Sequence, residues 1–490
     1  MSSDKQKVVQ GLTSQTVVTI LTGIVDIVSF SIMSRILTQT DFGYFASMMA
    51  ITTVFYSLAD TGIGAALVQR KDLDKKFIDN AFTLSFIIGT LLTSILFVSS
   101  GWLAELVADE SMKKPLQFLS ITLLLYCISS VDLSLLQREM KFYHIGCVRL
   151  SSSIITTVVA VSLALLDWGY YAILIKAVLD SIITAIIALL LTRRKCVFSL
   201  NRSICGQIIH FSGWLMLSAF FRNISYQIDR LLMPRLFSIA TLGMYSRPKD
   251  FINTVSNQSG RIFDMVLFPV LSEFQTEKAR LKESYRKSLY FINLFTIVIT
   301  TAMAFNSKLL IRLFFGEKWL NVNAIFVILS FSFVFIMNGK ISDIFLRAIG
   351  KTKLQFYFRV MQSILSTVLI IIGSAFSIEV LALAFVLSLL LVVFAKMIYI
   401  STQVEFSIKD SIFVCASSYK ILIILLPIFL ALTMFIPHTL FACIANCIIY
   451  FVVMSIVFIC FPGFIGDYYK DSVHMMLVGK LNLIIKKITK

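Results

Sequence analysis

Two stretches of the chain place ionisable and amide side chains at helical spacing within otherwise apolar sequence. Ser218, Arg222, Ser225 and Asp229 follow one another at intervals of four, three and four residues, with Arg230 beside them. Asp250, Asn253, Asn257, Arg261 and Asp264 follow at three, four, four and three. Such intervals gather each set on one face of a helix. An ionisable side chain in hydrocarbon costs about 2.5–3.5 kcal/mol on insertion scales, so one that persists should face a cavity or a partner. Two polar stripes on neighbouring apolar helices are what a water-filled route through a membrane requires. Arg222 is the sharpest of these residues, because no acid stands three or four positions to either side of it. A guanidinium in that setting suits bidentate binding of phosphate. The candidate substrate-binding set is therefore Arg222, Ser225, Asp229, Arg230, Asp250, Asn253, Asn257 and Arg261, with Arg359 added from a later helix.

A second set suits ion coupling or gating: Asp26, Asp60, Lys176, Asp180, Lys340 and Asp343. Asp26 shares a helical stripe with Thr19, Thr22 and Ser29, and Asp60 follows Ser57. Each of these two acids reads as a proton carrier, as an interhelical hydrogen-bond partner, or as both. Lys176 and Asp180 stand at i, i+4, close enough to neutralise each other. Arg235 and Arg347 lie near helix ends, where a long side chain can reach the interface. Coupling to H+ or Na+ is the only cofactor-like requirement expected. Histidines at positions 144, 210, 438 and 474 form no ligand spacing, and the eight cysteines include no C-x-x-C pair, so no metal site is expected. No G-x-x-x-x-G-K-[ST] loop is present, so this chain does not hydrolyse ATP.

The elements that must position these residues are membrane spans. The 490 residues are 58% hydrophobic and only 14% charged, against about a quarter charged in a soluble domain. Mean hydropathy is +0.87. Apolar runs fall at roughly 13–38, 42–68, 80–107, 115–135, 145–167 and 169–192, then after a basic connector at 208–236, 239–269, 288–312, 321–346, 354–377 and 379–401. Two more, at 418–437 and 438–461, precede a tail. The fold class is all-α integral membrane, with about fourteen transmembrane helices. The net charge of +17 does not point to nucleic acid, because Lys and Arg concentrate in alternate connections. Only about seven, Arg35, Lys113, Lys114, Arg235, Lys308, Arg312 and Lys318, fall in the opposite loops, which puts both termini in the cytoplasm. The stretch 273–287 reads as a short cytosolic helix. The tail, 464–490, reads as an interfacial amphipathic helix or as a solvated basic segment.

Met33-Ser34-Arg35-Ile36 and Phe42-Gly43-Tyr44-Phe45 recur 200 positions later as Met233-Pro234-Arg235-Leu236 and Leu242-Gly243-Met244-Tyr245. Each copy bridges the first two helices of a six-helix group. An even number of helices per group makes the repeats parallel. The expected division is residues 1–207, 208–410, a helix pair at 411–463, and the tail.

Several stretches resemble polysaccharide exporters of the Wzx type. They are Ser34–Leu73 (SRILTQTDFGYFASMMAITTVFYSLADTGIGAALVQRKDL), Leu135–Phe142 (LLQREMKF), Tyr226–Phe251 (YQIDRLLMPRLFSIATLGMYSRPKDF), Leu313–Trp319 (LFFGEKW) and Leu346–Lys353 (LRAIGKTK). The resemblance runs in order to about residue 410. It is to the colanic-acid-exporter-like branch of the multidrug/oligosaccharidyl-lipid/polysaccharide superfamily, which includes O-antigen and lipopolysaccharide biosynthesis flippases. It implies two six-helix lobes in a V shape with two added C-terminal helices. It also implies a multi-pass protein of the bacterial inner membrane that moves undecaprenyl-pyrophosphate-linked oligosaccharide repeats to the periplasmic leaflet by alternating access. Partners implied are that substrate, membrane lipid, and the polymerase and glycosyltransferases of the same polysaccharide, with no nucleic acid. By similarity to the peptidoglycan-precursor flippase, Arg222, Arg261 and Arg359 are the candidates to meet pyrophosphate, although the first lobe is poorer in arginine than that analogue. A cation-coupled multidrug exporter would want acids and aromatics where Arg222 and Arg261 stand. A polyprenyl-dependent glycosyltransferase or polymerase would want long loops bearing catalytic carboxylates, and the loops on that side are short. A structural scaffold would not explain two polar stripes. The chain is not expected to be an enzyme.

Overall fold

The computed structural model describes residues 3–427 apart from 60–61, 71–72, 108, 195–196, 275–276 and 424–425. Asp60, the expected spans beyond residue 427 and the basic tail lie outside the described residues. Among the described residues every regular element is helical. The first eight α-helices are α1 (Ser3–Ile36), α2 (Gln39–Ala59), α3 (Ile63–Gln69), α4 (Lys75–Val107), α5 (Lys113–Arg138), α6 (Phe142–Leu165), α7 (Tyr170–Thr192) and α8 (Arg202–Leu236). The rest are α9 (Ile239–Glu273), α10 (Lys278–Phe305), α11 (Ser307–Phe314), α12 (Asn323–Ser330), α13 (Ser332–Ala348), α14 (Thr352–Ser374), α15 (Ile378–Gln403) and α16 (Ile408–Ser418).

Among the described residues, nine helical stretches are long and apolar enough to cross a membrane, and the chain is a multi-pass membrane protein. At 34, 35 and 35 residues, α1, α8 and α9 are longer than any of the nine, but they carry more polar side chains. Large apolar side chains stand exposed along α4 (Leu91, Ile95, Val98, Trp102) and α14 (Ile364, Val368, Ile371, Ile372). Surfaces of that kind belong in lipid.

Two expectations change in detail. The span expected at 42–68 is broken at Gly62, whose φ of +67° an L side chain would rarely adopt. Beyond it, the short α3 is held by Arg138, whose Nη1 donates to the carbonyls of Leu67 (2.8 Å) and Val68 (3.3 Å) and to that of Arg70. The charged stretch 273–287, expected as a separate helix, instead supplies the first turns of α10 from Lys278 onward. Leu281 and Tyr285, four residues apart, are buried there, while Glu283 and Lys287 pair at 3.4 Å on the solvent side. Lys278 Nζ reaches Glu405 Oε1 at 2.5 Å and holds that carboxyl below the usual carboxylate range.

The described residues form two compact units, one running to Arg247 with Phe314–Gly316 added, the other taking up from Pro248. The division falls inside α9, at a proline that has no N–H to donate to the preceding turn. In the first unit α4 packs on α5, α1 on α6, α5 on α7, and α2 on α8. Met48, Leu96, Leu119 and Leu123 lie at its centre. In the second unit α14 packs on α15, and α10 packs on α13 and α16, around Tyr285, Tyr290, Phe345 and Ile400.

The repeat detected in the sequence is also a packing contact within the first unit. Thr38 and Asp41 cap α2 reciprocally, with Thr38 N donating to Asp41 Oδ2 at 2.9 Å and Asp41 N to Thr38 Oγ1 at 3.2 Å. Two hundred residues on, Ser238 Oγ caps α9 by accepting from Thr241 N at 3.1 Å. The first turns of α2 and α9 then cross at their glycines. A Cβ on Gly43 would stand 1.9 Å from the Ile239 carbonyl oxygen, and one on Gly243 would stand 1.8 Å from that of Gln39. The two copies of the motif thus meet backbone to backbone, an approach that only glycine allows.

Candidate functional site

In the first unit, polar side chains of α1, α6 and α7 meet. Ser152 and Ser153 are neighbours on α6, so they point about 100° apart. Each gives its hydroxyl to a different carboxylate: Ser153 Oγ donates to Asp26 at 2.7 Å, and Ser152 Oγ to Asp180 at 2.5 Å. Both acids are exposed residues. Lys176 does not form the expected pair with Asp180. Its Nζ donates instead to Ser29 Oγ (2.7 Å) and Thr157 Oγ1 (3.0 Å), because its stem turns toward α1 and α6, where hydroxyls are in reach. Lysine and carboxylates therefore share one region without a direct bond.

The stripe on α8 divides. Arg222 is exposed, whereas Ser225, Asp229 and Arg230 are buried. Ser225 Oγ returns to the Phe221 carbonyl at 2.7 Å. Tyr245 of α9 donates its hydroxyl to Asp229 Oδ2 at 2.5 Å, and Arg230 Nη2 lies 3.5 Å from the Ser246 carbonyl. The lower part of the stripe thus joins α8 to the start of α9. Of the four, only Arg222 is an exposed residue. The side chain of Ser218 lies outside the described residues.

Arg247 was not singled out from the sequence. Its guanidinium lies 3.6 Å from the ring centroids of both Phe30 and Phe42, and Nη2 donates to the Phe30 carbonyl at 3.1 Å. A buried arginine between two aromatic faces fastens the end of the first unit to α1 and α2.

In the second unit the stripe on α9 stays open. Asn257 and Arg261 are exposed, and Asp250, Asn253 and Asp264 are half-buried. Lys340 of α13 lies across this helix, donating to the Ser256 carbonyl at 2.7 Å and to Asn257 Oδ1 at 3.0 Å. Gly260 makes the room, since a Cβ there would come within 2.7 Å of the Lys340 ammonium. Arg347 pairs with Asp264. Arg261 and Arg347 are both exposed on this face, Arg261 from the stripe itself and Arg347 from α13.

Arg359 and Asp343 are placed elsewhere, inside the bundle of α13, α14 and α15. Asp343 accepts from Arg359 on one oxygen and from Lys396 Nζ on the other, the latter at 2.7 Å. Their side chains are 10%, 7% and 2% exposed for Arg359, Asp343 and Lys396, so the cluster is an internal one. Lys396 escaped sequence reasoning because it is a lone cation in the apolar run Val392 to Ile400. Only its partner across the bundle shows why it is there. Removing the Asp343 charge leaves two cations facing each other in the interior. We expect Asp343→Asn to lose about 3–5 kcal/mol of stability. The check is thermal unfolding in detergent, and Asp343→Asn combined with Lys396→Met should recover part of the loss.

A family model described as "Polysaccharide biosynthesis protein" matches residues 32–324. The teichuronic acid biosynthesis protein TuaB of Bacillus subtilis (strain 168) is 23% identical over 362 residues, which cover 73% of this chain and 74% of the relative. The lipopolysaccharide biosynthesis protein WzxC of Escherichia coli (strain K12) is 20% identical over 375 residues, 75% of each chain. Among solved structures, the lipid II flippase MurJ in an inward closed conformation superposes with a TM-score of 0.72 at 16% identity, over 91% of this chain and 98% of that one. The fold is also that of an inward-facing multidrug resistance MATE family transporter of the multidrug/oligosaccharidyl-lipid/polysaccharide (MOP) superfamily, with a TM-score of 0.66 at 11% identity. The family match runs over more than half of the sequence: the chain belongs to the polysaccharide biosynthesis protein family.

Proposed function

We propose that this chain is a flippase, not an enzyme, that moves polyprenyl-pyrophosphate-linked oligosaccharide repeat units from the cytoplasmic to the periplasmic leaflet of a bacterial inner membrane. Sugars and pyrophosphate cannot enter hydrocarbon unaided, because desolvating them costs too much. A hydrated, cationic surface that opens to each side in turn would carry the head group, while the polyprenyl tail stays in lipid. The observation that carries this reading is Arg222, a guanidinium exposed in mid-helix on a chain otherwise fitted to lipid. Exposed Arg261 and Asn257 on α9 extend the same chemistry. The relatives' names, which speak of teichuronic acid and lipopolysaccharide biosynthesis, and the MurJ-like fold support it. The remaining elements are fourteen spans in two six-helix lobes plus a final pair, with both termini cytoplasmic. Asp26 and Asp180, each held by a single serine hydroxyl, are the carboxylates we assign to H+ or Na+ coupling.

Depleting the protein in its host should lower surface polysaccharide and raise the pool of lipid-linked repeat units. Unchanged pools on depletion would remove the assignment. The exposed acids Asp26 and Asp180 favour one competing reading, a cation-coupled drug exporter. That reading requires depleted cells to become sensitive to cationic drugs with their polysaccharide intact.

A further inference from the structure

The basic connector between α7 and α8 is a charged motif that the head-group surface leaves unused, and it lies within the first unit. At its start Arg194 turns inward. Its Nε donates to Asp132 Oδ1 at 3.0 Å, and its guanidinium lies 4.0 Å from the ring centroid of Phe82. Farther on, the connector is held against α4. Phe198 packs beside Phe82 and Phe86, with ring centroids 5.6 and 5.2 Å apart. Ser199 N donates to Thr83 Oγ1 at 2.9 Å, and Asn80 Nδ2 to Ser199 Oγ at 3.3 Å. Asn201 N donates to Asn80 Oδ1 at 2.5 Å, and Asn201 Oδ1 then caps α8 by accepting from Ser203 N at 3.0 Å.

These contacts fix the direction of the connector. At about 1.5 Å per residue, Phe82 and Phe86 stand about 9 and 15 Å along α4 from Lys76. Phe198 therefore lies deep beside α4, and by Asn201 the chain has returned to within two turns of that helix's start. Val197, Phe198 and Leu200 are exposed along the way, the last two at 60% and 67%. At the shallow end Lys75, Lys76 and Arg202 are exposed, and none of them forms an ion pair among the described residues. The exposed acid beside them, Asp74, caps α4 by accepting from Phe77 N at 3.1 Å. An exposed apolar strip thus ends in three cations and one acid. Apolar surface of this kind rests against acyl chains, and cations at its rim attract phosphate. Because α4 already holds the connector, a ligand does not have to order it.

We propose that residues 197–202 and the first turn of α4 form a site selective for an anionic phospholipid. Its acyl chain lies along Phe198 and Leu200, and its phosphate is met by Lys76 and Arg202. A zwitterionic lipid brings a cation of its own to the same place and is disfavoured there. Occupancy of the site is independent of what the chain transports.

The test uses full-length protein in liposomes, carrying Leu200→Trp. Ile364→Trp is the control, on the exposed face of α14. Quenching by brominated phosphatidylglycerol is compared with quenching by brominated phosphatidylcholine, after subtracting the signal of the four native tryptophans. One Lys or Arg near a lipid surface changes relative affinity about fivefold. We expect phosphatidylglycerol to be preferred at least fivefold at residue 200 and to show no preference at 364. Lys76→Gln combined with Arg202→Gln should bring the ratio at 200 down to that at 364, and both side chains are exposed, so the fold does not depend on them. Equal quenching by the two lipids at residue 200 would overturn the site. So would the same preference at 364, which would be an effect of net charge, or a preference that survives the loss of both cations. Displacement of the brominated lipid by polyprenyl pyrophosphate, but not by excess unlabelled phosphatidylglycerol, would overturn the phospholipid as the occupant.

Discussion

Replacing Gly243 with alanine is expected to leave little well-folded protein in the membrane, and Gly43→Ala to do the same. The Cβ added at 243 would stand 1.8 Å from the Gln39 carbonyl oxygen and 3.0 Å from the backbone nitrogen of Gly43. Both obstacles are backbone, so no side-chain rotation relieves them. The first turns of α2 and α9 would have to part by more than an ångström, opening the packing of α2 on α8 behind them. Overpacking against a rigid neighbour costs about 1–3 kcal/mol, and a backbone clash of this depth belongs at the top of that range or beyond it. Yield of monodisperse protein on size-exclusion chromatography is the readout. Gly206 is the control, because it is an exposed helical glycine with nothing within 4 Å of its added Cβ. Gly206→Ala should be neutral, or stabilising by about 0.5–1 kcal/mol. Equal behaviour of Gly243→Ala and Gly206→Ala would contradict the crossing.

Arg222→Ala is expected to insert at the normal level and to lose surface polysaccharide. Losing one charge-assisted contact to phosphate is worth about 1.5–3 kcal/mol, which is roughly a ten- to hundred-fold drop in transport. Arg222→Lys keeps the charge without the planar fork and should be partly active. Surface polysaccharide normalised to membrane levels of the protein is the measurement. Because Arg222 is exposed, the alanine variant removes no core packing. Arg359→Ala should behave oppositely, lowering the amount of folded protein, since its guanidinium is enclosed against Asp343 and Gln362. Wild-type export by Arg222→Ala would take Arg222 out of the head-group surface.

Helix positions were legible in the sequence because apolar runs and polar stripes are properties of one helix at a time. The span expected at 239–269 and α9 agree closely, as do 169–192 and α7. The repeat was legible for the same reason, as a local turn motif occurring twice. What a polar residue faces was not legible. Arg222 and Arg359 look alike in sequence, yet one is exposed and the other spans a buried gap to Asp343. Spacing suggested that Lys176 would neutralise Asp180, but serine and threonine hydroxyls on α1 and α6 were better placed. Lys396 and Arg247 carried no local signal, because their partners lie on other helices, more than fifty and two hundred residues away. The break at Gly62 was written in the sequence as a glycine, but an apolar run on both sides hid it.

The most direct measurement is flipping by the purified protein in proteoliposomes that carry a fluorescent polyprenyl-pyrophosphate oligosaccharide. Access of an added glycosidase to the sugars reports which leaflet holds them. Head-group transport on a cationic surface predicts that wild-type protein exposes substrate from the inner leaflet, and that Arg222→Ala slows this at least tenfold. Exposure no faster than in protein-free liposomes would contradict it.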